Sequence, residues 1–309
     1  MQILEHRELW RGTNAGGKSE RSSQMPGEAE NLRYRKPGAS RGRRSKGVMV
    51  MKSHLMKLLR AALREFDVGF ARYERLESLE EYDKDFAALL ALPVEKLTML
   101  ASLVHRSRSQ LRQDLFVLTE LDFKKNGYFV EFGATNGIDL SNTYLLEKEF
   151  GWKGILAEPA KCWHKALKEN RQTHVETCCV WRDSNSVIKF KEARAAELST
   201  IASYSDKDYH RSAREDGHVY EIKTISLNDL LTKYNAPKEI DYLSIDTEGS
   251  EFEILNNFDF DRHQIKVITC EHNFTPIRSK IFDLLIRNGY ARKYIGFSRW
   301  DDWYIRRSV

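Results

Sequence analysis

Residues Tyr128 to Gly137 read YFVEFGATNG, and this stretch decides the fold. Tyr128, Phe129 and Val130 form an aromatic and β-branched run suited to a buried strand. Asn126 and Gly127 place a turn signal in front of it. Glu131 stands where the apolar run ends, and Gly133 and Gly137 follow. Leu140, Tyr144, Leu145 and Phe150 then mark one face of a helix. Strand, glycine turn and helix in that order predict a ligand site at the carboxyl end of a sheet strand, against a helix N-terminus.

The glycine spacing narrows the ligand. A dinucleotide fingerprint, G-x-G-x-x-G, needs a middle glycine so that backbone can approach a pyrophosphate. Here that position is Thr135. Glu131, aimed into the same crevice, repels phosphates and attracts a cation or ammonium. A ligand with an amino-acid end and a nucleoside end fits better than NAD, and S-adenosylmethionine is the candidate. The plainer alternative is that G-x-x-x-G only lets a turn pack closely.

A second acid favours the nucleoside end. Gly154 to Ala157 make a second strand ending at Glu158, some 25 positions after Gly133, where a carboxylate is suited to ribose hydroxyls. Pro159 follows and opens a helix. Val175 to Val180 is read as a third strand, with Asp183 beyond it placed to face an adenine amino group. Val187–Phe190 and Val219–Ile225 are further strands, and Ser226 with Asp229 resembles a capping box. Between these strands, residues 192–218 form a polar insertion with Ser199, Thr200, Tyr204 and Tyr209. A loop of this length is either functional or loosely ordered, and the functional reading is a lid or acceptor-binding loop.

Acids recur on the same rim. Tyr242, Leu243 and Ile245 form a strand that ends in Asp246, Glu248 and Glu251, and Ile265 to Cys270 form another that ends in Glu271, His272 and Asn273. Such carboxylates are costly to cluster unless a cation, a ligand or a proton relieves them. Alternatively, Glu248 and Glu251 favour the N-terminus of the helix that follows. Further upstream, Gln113 and Asp114 either line the crevice or face solvent at a helix N-terminus. Tyr290–Ile295 and Asp302–Ile305 read as a closing antiparallel pair.

Composition bounds the class. The 309 residues are 41% hydrophobic and 31% charged, with a net charge of +5. Residues 1–50 hold 11 Lys and Arg against 5 Glu, so the remainder carries 39 against 40 and a net charge of −1. The folded part therefore lacks the basic character of a nucleic-acid binder, and no nucleic-acid partner is expected. Residues 1–50 read as a disordered basic tail. They are either a targeting leader or sequence upstream of a start at Met49, Met51 or Met56. Residues 51–108 read as a helical extension or cap. Its first helix, with Leu55, Leu58, Leu59 and Ala62 on one face, either packs on the main domain or touches an anionic membrane surface. No apolar run long enough for a membrane span is present. Cys162, Cys178, Cys179 and Cys270 include no C-x-x-C pair, which disfavours structural zinc and a disulfide framework. A reducing, cytoplasmic setting is expected.

With these residues in view, the chain from about Ser109 to Ile305 resembles the FkbM-type methyltransferases, which use S-adenosylmethionine. The resemblance rests on SQLRQD at Ser109–Asp114, EFGATNG, SNTYLLEK at Ser141–Lys148, ILAEP at Ile155–Pro159 and, most distinctively, IDYLSIDTEGSE at Ile240–Glu251. It implies an α/β class I methyltransferase (Rossmann-like) domain over 109–309. Its sheet has seven strands, mostly parallel with one antiparallel, and helices on both faces. By this similarity Glu131, Gly133, Ala134, Asn136 and Gly137 hold the methionine end of the cofactor, Glu158 with Pro159 the ribose, and Asp246 a further contact. Thr135 and Asn136 stand where many class I enzymes carry another glycine.

The resemblance also implies O-methylation of a hydroxyl on a sugar, glycan or polyketide-like acceptor. An alcohol acceptor needs a proton acceptor nearby, and Asp246, Glu248, Glu271 and His272 are the catalytic candidates. A divalent metal held by Asp246, Glu271 and a neighbour such as His272 or Asn273 is an alternative way to ionise a hydroxyl. The rival readings are an RNA or protein methyltransferase on the same fold and a non-catalytic cofactor-binding module.

Overall fold

A computed structural model describes residues 83–208 and 210–307. The basic tail, the first part of the helical extension and Tyr209 lie outside the described residues. The main sheet has seven strands: β1 (Tyr128–Phe132), β2 (Lys153–Ala157), β3 (His174–Glu176), β8 (Glu239–Ile245), β9 (Gln264–Glu271), β10 (Tyr290–Lys293) and β11 (Asp301–Arg306). Their order is β10-β11-β9-β8-β1-β2-β3. β1, β2, β3, β8 and β9 pair in parallel, while β11 runs antiparallel to both β9 and β10. The sheet is thus mixed through a single strand, as the class I arrangement requires.

Burial on both faces explains the continuous apolar runs of the central strands. Side chains alternate along β1: Phe129 packs in one core with Leu115, Phe116, Leu145, Leu146 and Leu167, whereas Val130 and Phe132 pack in the other with Leu230, Leu231, Ile254 and Leu285. Helices therefore cover both faces. Of the expected extension, Asp83–Ala91 and Leu97–Leu103 are helical, with Pro93 between them, and Leu92, Leu100 and Leu103 join the core that holds Phe129. Among the described residues no single helix is long and apolar enough to cross a membrane.

Two local expectations need correction. The helix after the glycine turn spans Tyr144–Phe150, and Leu140 is an exposed loop residue with φ +61°. The glycine turn is therefore separated from the helix by an extended loop. The expected third strand also divides. Glu176 ends β3, and its carboxylate accepts the N–H groups of Thr177 and Cys178, each at 2.9 Å, which turns the chain away. Cys179–Trp181 (β4) then enters a second, four-stranded sheet of order β4-β7-β5-β6, where β5 is Val187–Glu192, β6 Thr200–Ile201 and β7 His218–Ser226. The expected cap at Ser226 is present: Ser226 Oγ accepts the Asp229 N–H at 3.1 Å.

Candidate active site

The carboxyl ends of β1, β2, β8 and β9 open on one crevice, walled by Glu131, Gly133, Thr135, Asn142, Glu158, Pro159, Asp246, Glu248 and Glu271, among others. The insertion supplies part of its wall through Leu198, Ser199 and Ile201. Gly133 fixes the centre. Its φ is +73°, and a Cβ there would stand 2.2 Å from the Asp246 carbonyl oxygen. Only a glycine lets the β1 and β8 loops meet this closely.

Glu131 is engaged in holding the loop that follows. Its carboxylate accepts from the Asn142 N–H at 2.6 Å and the Ser141 hydroxyl at 3.0 Å, and also from the Thr143 hydroxyl. Arg171 approaches it at 3.8 Å. Burial pushes the Glu131 pKa up, and Arg171 pulls against that. Glu158 joins β2 to the glycine turn: its oxygens accept the Thr135 and Ala160 N–H groups, each at 2.8 Å. Burial pushes its pKa to about 7. One lone pair on each oxygen remains for a further donor.

The acids of β8 and β9 converge. Ligand oxygens of Asp246, Glu248 and Glu271 all lie within 4.8 Å of one another. Burial raises each pKa: to about 7 for Asp246, to about 9 for Glu248 with the Asp246 charge adding, and well above the carboxyl range for Glu271. Asp301, at the start of β11, lies opposite Glu271 in the ladder and is pushed to about 7 by burial. Among the described residues, Glu248 alone of these acids has a cationic partner: Arg214 Nη2 donates to it at 2.8 Å, and Asn273 Nδ2 donates at 3.1 Å.

Several expected residues lie elsewhere. Ala134 is buried in the core and does not line the crevice. Neither does Asn136, whose side-chain oxygen accepts the Ile138 and Asp139 N–H groups, nor Gly137, which packs against Leu167 and Arg171. Asp183 also stands outside, paired with Arg182 at 3.3 Å, because β4 has left the main sheet. Glu251 turns back on its own loop, accepting the Thr247 and Gly249 N–H groups at 3.0 Å, in line with the helix-terminus alternative. His272 does not join the acid group. Its Nδ1 accepts the Phe274 N–H at 3.0 Å, its Nε2 lies 3.7 Å from Asp302, and burial lowers its pKa. The three-ligand set among the described residues therefore has Glu248 in place of His272. Gln113 and Asp114 are buried and do not face solvent. Gln113 lines the crevice and donates to Asp301 at 2.8 Å. Arg214 and Asp301 carry no sequence signal of their own, although Asp301 opens a terminal strand on the same rim.

The profile of the Methyltransferase FkbM domain matches residues 131–291, just over half of the chain. The chain belongs to the FkbM methyltransferase family. No curated protein matches it significantly. Among solved structures it is similar to a ribosomal-protein methylase of Lactobacillus delbrueckii subsp. bulgaricus, with 11% identity, 64% of this chain and 77% of that chain covered, and a TM-score of 0.32. It is likewise similar to a precorrin-6y methyltransferase of Geobacter metallireducens, with 11% identity, coverage of 62% and 85%, and a TM-score of 0.31. The family implies use of S-adenosylmethionine. The donor set fits that cofactor: Glu158 keeps acceptor capacity for ribose hydroxyls, and Asn142 Oδ1 is a buried acceptor without a protein partner on the crevice wall.

Proposed function

We propose that this FkbM-family methyltransferase transfers a methyl group from S-adenosylmethionine to a hydroxyl of a sugar, glycan or polyketide-like small molecule. The observation that carries this reading is the single crevice in which Gly133, Glu158 and the Asp246–Glu248–Glu271 group face one another. Glu158 holds the ribose, with Pro159 beside it. Asn142 and the Gly133–Thr135 turn hold the amino-acid end. When bound, the cofactor supplies an electrophilic methyl carbon on a sulfonium. The chain's own work is positioning, exclusion of water and removal of one proton. The acceptor hydroxyl gives its proton to a carboxylate of the Asp246–Glu271 pair as its oxygen takes the methyl. Asp246, which burial holds at about 7, is the member of the pair suited to act as a base near neutral pH. The free state of all four cysteines supports a reducing, cytoplasmic setting.

Calorimetric titration of the full chain with S-adenosylmethionine tests the assignment, with Glu158→Ala and NAD as controls. Binding by the wild type that Glu158→Ala weakens at least tenfold is expected. Binding of NAD in its place would overturn the reading.

A further inference from the structure

A second cavity of about 400 Å³ adjoins the crevice, and Glu248 and Glu271 line both. Its remaining wall comes from the insertion, from the loop and helix after β8, and from His272, Asn273 and Thr275–Ile277 between β9 and the helix Ile277–Arg287. Rim order gives this cavity its place. Along the sheet, β2 carries Glu158, β1 the glycine turn, β8 Asp246 and β9 Glu271. A ligand with its ribose at β2 directs its reactive end toward β8. The next space along the rim is the second cavity.

The chemistry of the wall is one-sided. Asp208, Glu248, Glu251, Glu253 and Glu271 bring carboxyl groups to it, and Lys207 is the only lysine or arginine among the described lining residues. Lys207 Nζ rests 4.3 Å from the centre of the Tyr204 ring. The guanidinium of Arg214, behind the wall, is engaged by Leu198 O, Asp208 and Glu248. An entering phosphate would meet carboxyl oxygens and no guanidinium fork. A ligand rich in donors would find an acceptor on each carboxyl of the wall.

Building on the methyl-transfer reading, we infer that this second cavity is the acceptor chamber, and that it takes a hydroxylated acceptor bearing an ammonium group while rejecting phosphate-bearing ones. The ammonium answers the carboxyl wall, and a neighbouring hydroxyl faces the Glu271 side of the partition, next to Asp246, where proton removal takes place. Sugar phosphates, nucleotide-linked sugars and nucleic acid backbones are disfavoured by the same wall.

The test uses the full chain saturated with S-adenosylhomocysteine and three matched probes: D-glucosamine, methyl α-D-glucoside and glucose 6-phosphate. Dissociation constants come from saturation-transfer NMR titrations. Glucosamine is expected to bind tightest and glucose 6-phosphate at least tenfold more weakly. Glu253→Lys should narrow that ratio severalfold. Thr275→Trp, which fills the chamber, should remove hexose binding with S-adenosylhomocysteine affinity unchanged. Glucose 6-phosphate binding as tightly as glucosamine would overturn the charge argument. Failure of all three probes while S-adenosylhomocysteine still binds would overturn the chamber. Failure of S-adenosylhomocysteine itself would instead overturn the cofactor reading on which the chamber rests.

Discussion

Arg214 donates to Glu248 at 2.8 Å, with both side chains buried and 34 positions apart in sequence. The same guanidinium donates to Leu198 O at 2.6 Å and to Asp208 at 2.7 Å. One side chain therefore ties two stretches of the 192–218 insertion to the loop after β8. A buried cation with every contact on an acceptor leaves those acceptors uncompensated when it is removed. Arg214→Ala should lower unfolding stability by about 3–5 kcal/mol, measured by urea denaturation. A loss below about 1 kcal/mol would mean that the insertion is fastened by other contacts.

The same pairing bears on metal binding. Asp246, Glu248 and Glu271 offer three carboxyl groups to a hard cation, yet Arg214 already occupies Glu248. Magnesium should raise the melting temperature of Arg214→Met more than that of the wild type. An equal or larger rise in the wild type would show that the cation and the arginine coexist.

The two motif glycines should respond differently to a methyl group. At Gly133 an added Cβ meets the Asp246 backbone at 2.2 Å, while at Gly137 it meets the side chains of Arg171 and Leu167 at 2.7 Å. Both have positive φ, so both substitutions bring strain. Backbone cannot yield as side chains can. Gly133→Ala should abolish S-adenosylmethionine binding, and Gly137→Ala should reduce it by no more than about tenfold, read by calorimetry. Asp183→Ala, outside the crevice, should leave the affinity within about twofold.

Stability of the unliganded chain should fall as pH rises. Asp114 is held up to about 6 and Glu158, Asp246 and Asp301 to about 7 by burial. Between the ordinary carboxyl range and those values the folded state binds more protons than the unfolded one, so stability decreases through that window. Glu158 alone contributes on the order of 3 kcal/mol. The carboxylates held low, Asp241 and Asp302 among them, titrate below this window. His210 and His272, whose pKa values burial lowers, oppose the trend only below their ordinary value. Thermal melts at pH 5.5 and 8 should show the lower midpoint at pH 8. A higher midpoint there would mean that these acids are ionised and paired.

The central strands were legible because burial on both faces demands unbroken apolar runs, and because an acid that ends such a run stands out against it. Glu131, Glu158, Asp246 and Glu271 all announced themselves in that way. Asp183 misled because its position was counted along a strand that the Glu176 turn interrupts. A carboxylate binding its own downstream amides looks, in sequence, like any other charged strand residue. Arg214 was out of reach for a different reason. Its role depends on an insertion folding back 34 positions onto the β8 loop, and no local period encodes that contact.

β11 lies between β9 and β10, although it follows both in the chain. Closing the sheet therefore requires β11 to insert between two strands that precede it, and until it does the long β9 edge is unpaired. Asp301, which begins that late strand, reaches Glu271 only when it inserts. The acid rim is thus completed by the last pairing of the sheet, and any change that delays this insertion leaves the β9 edge open to another chain.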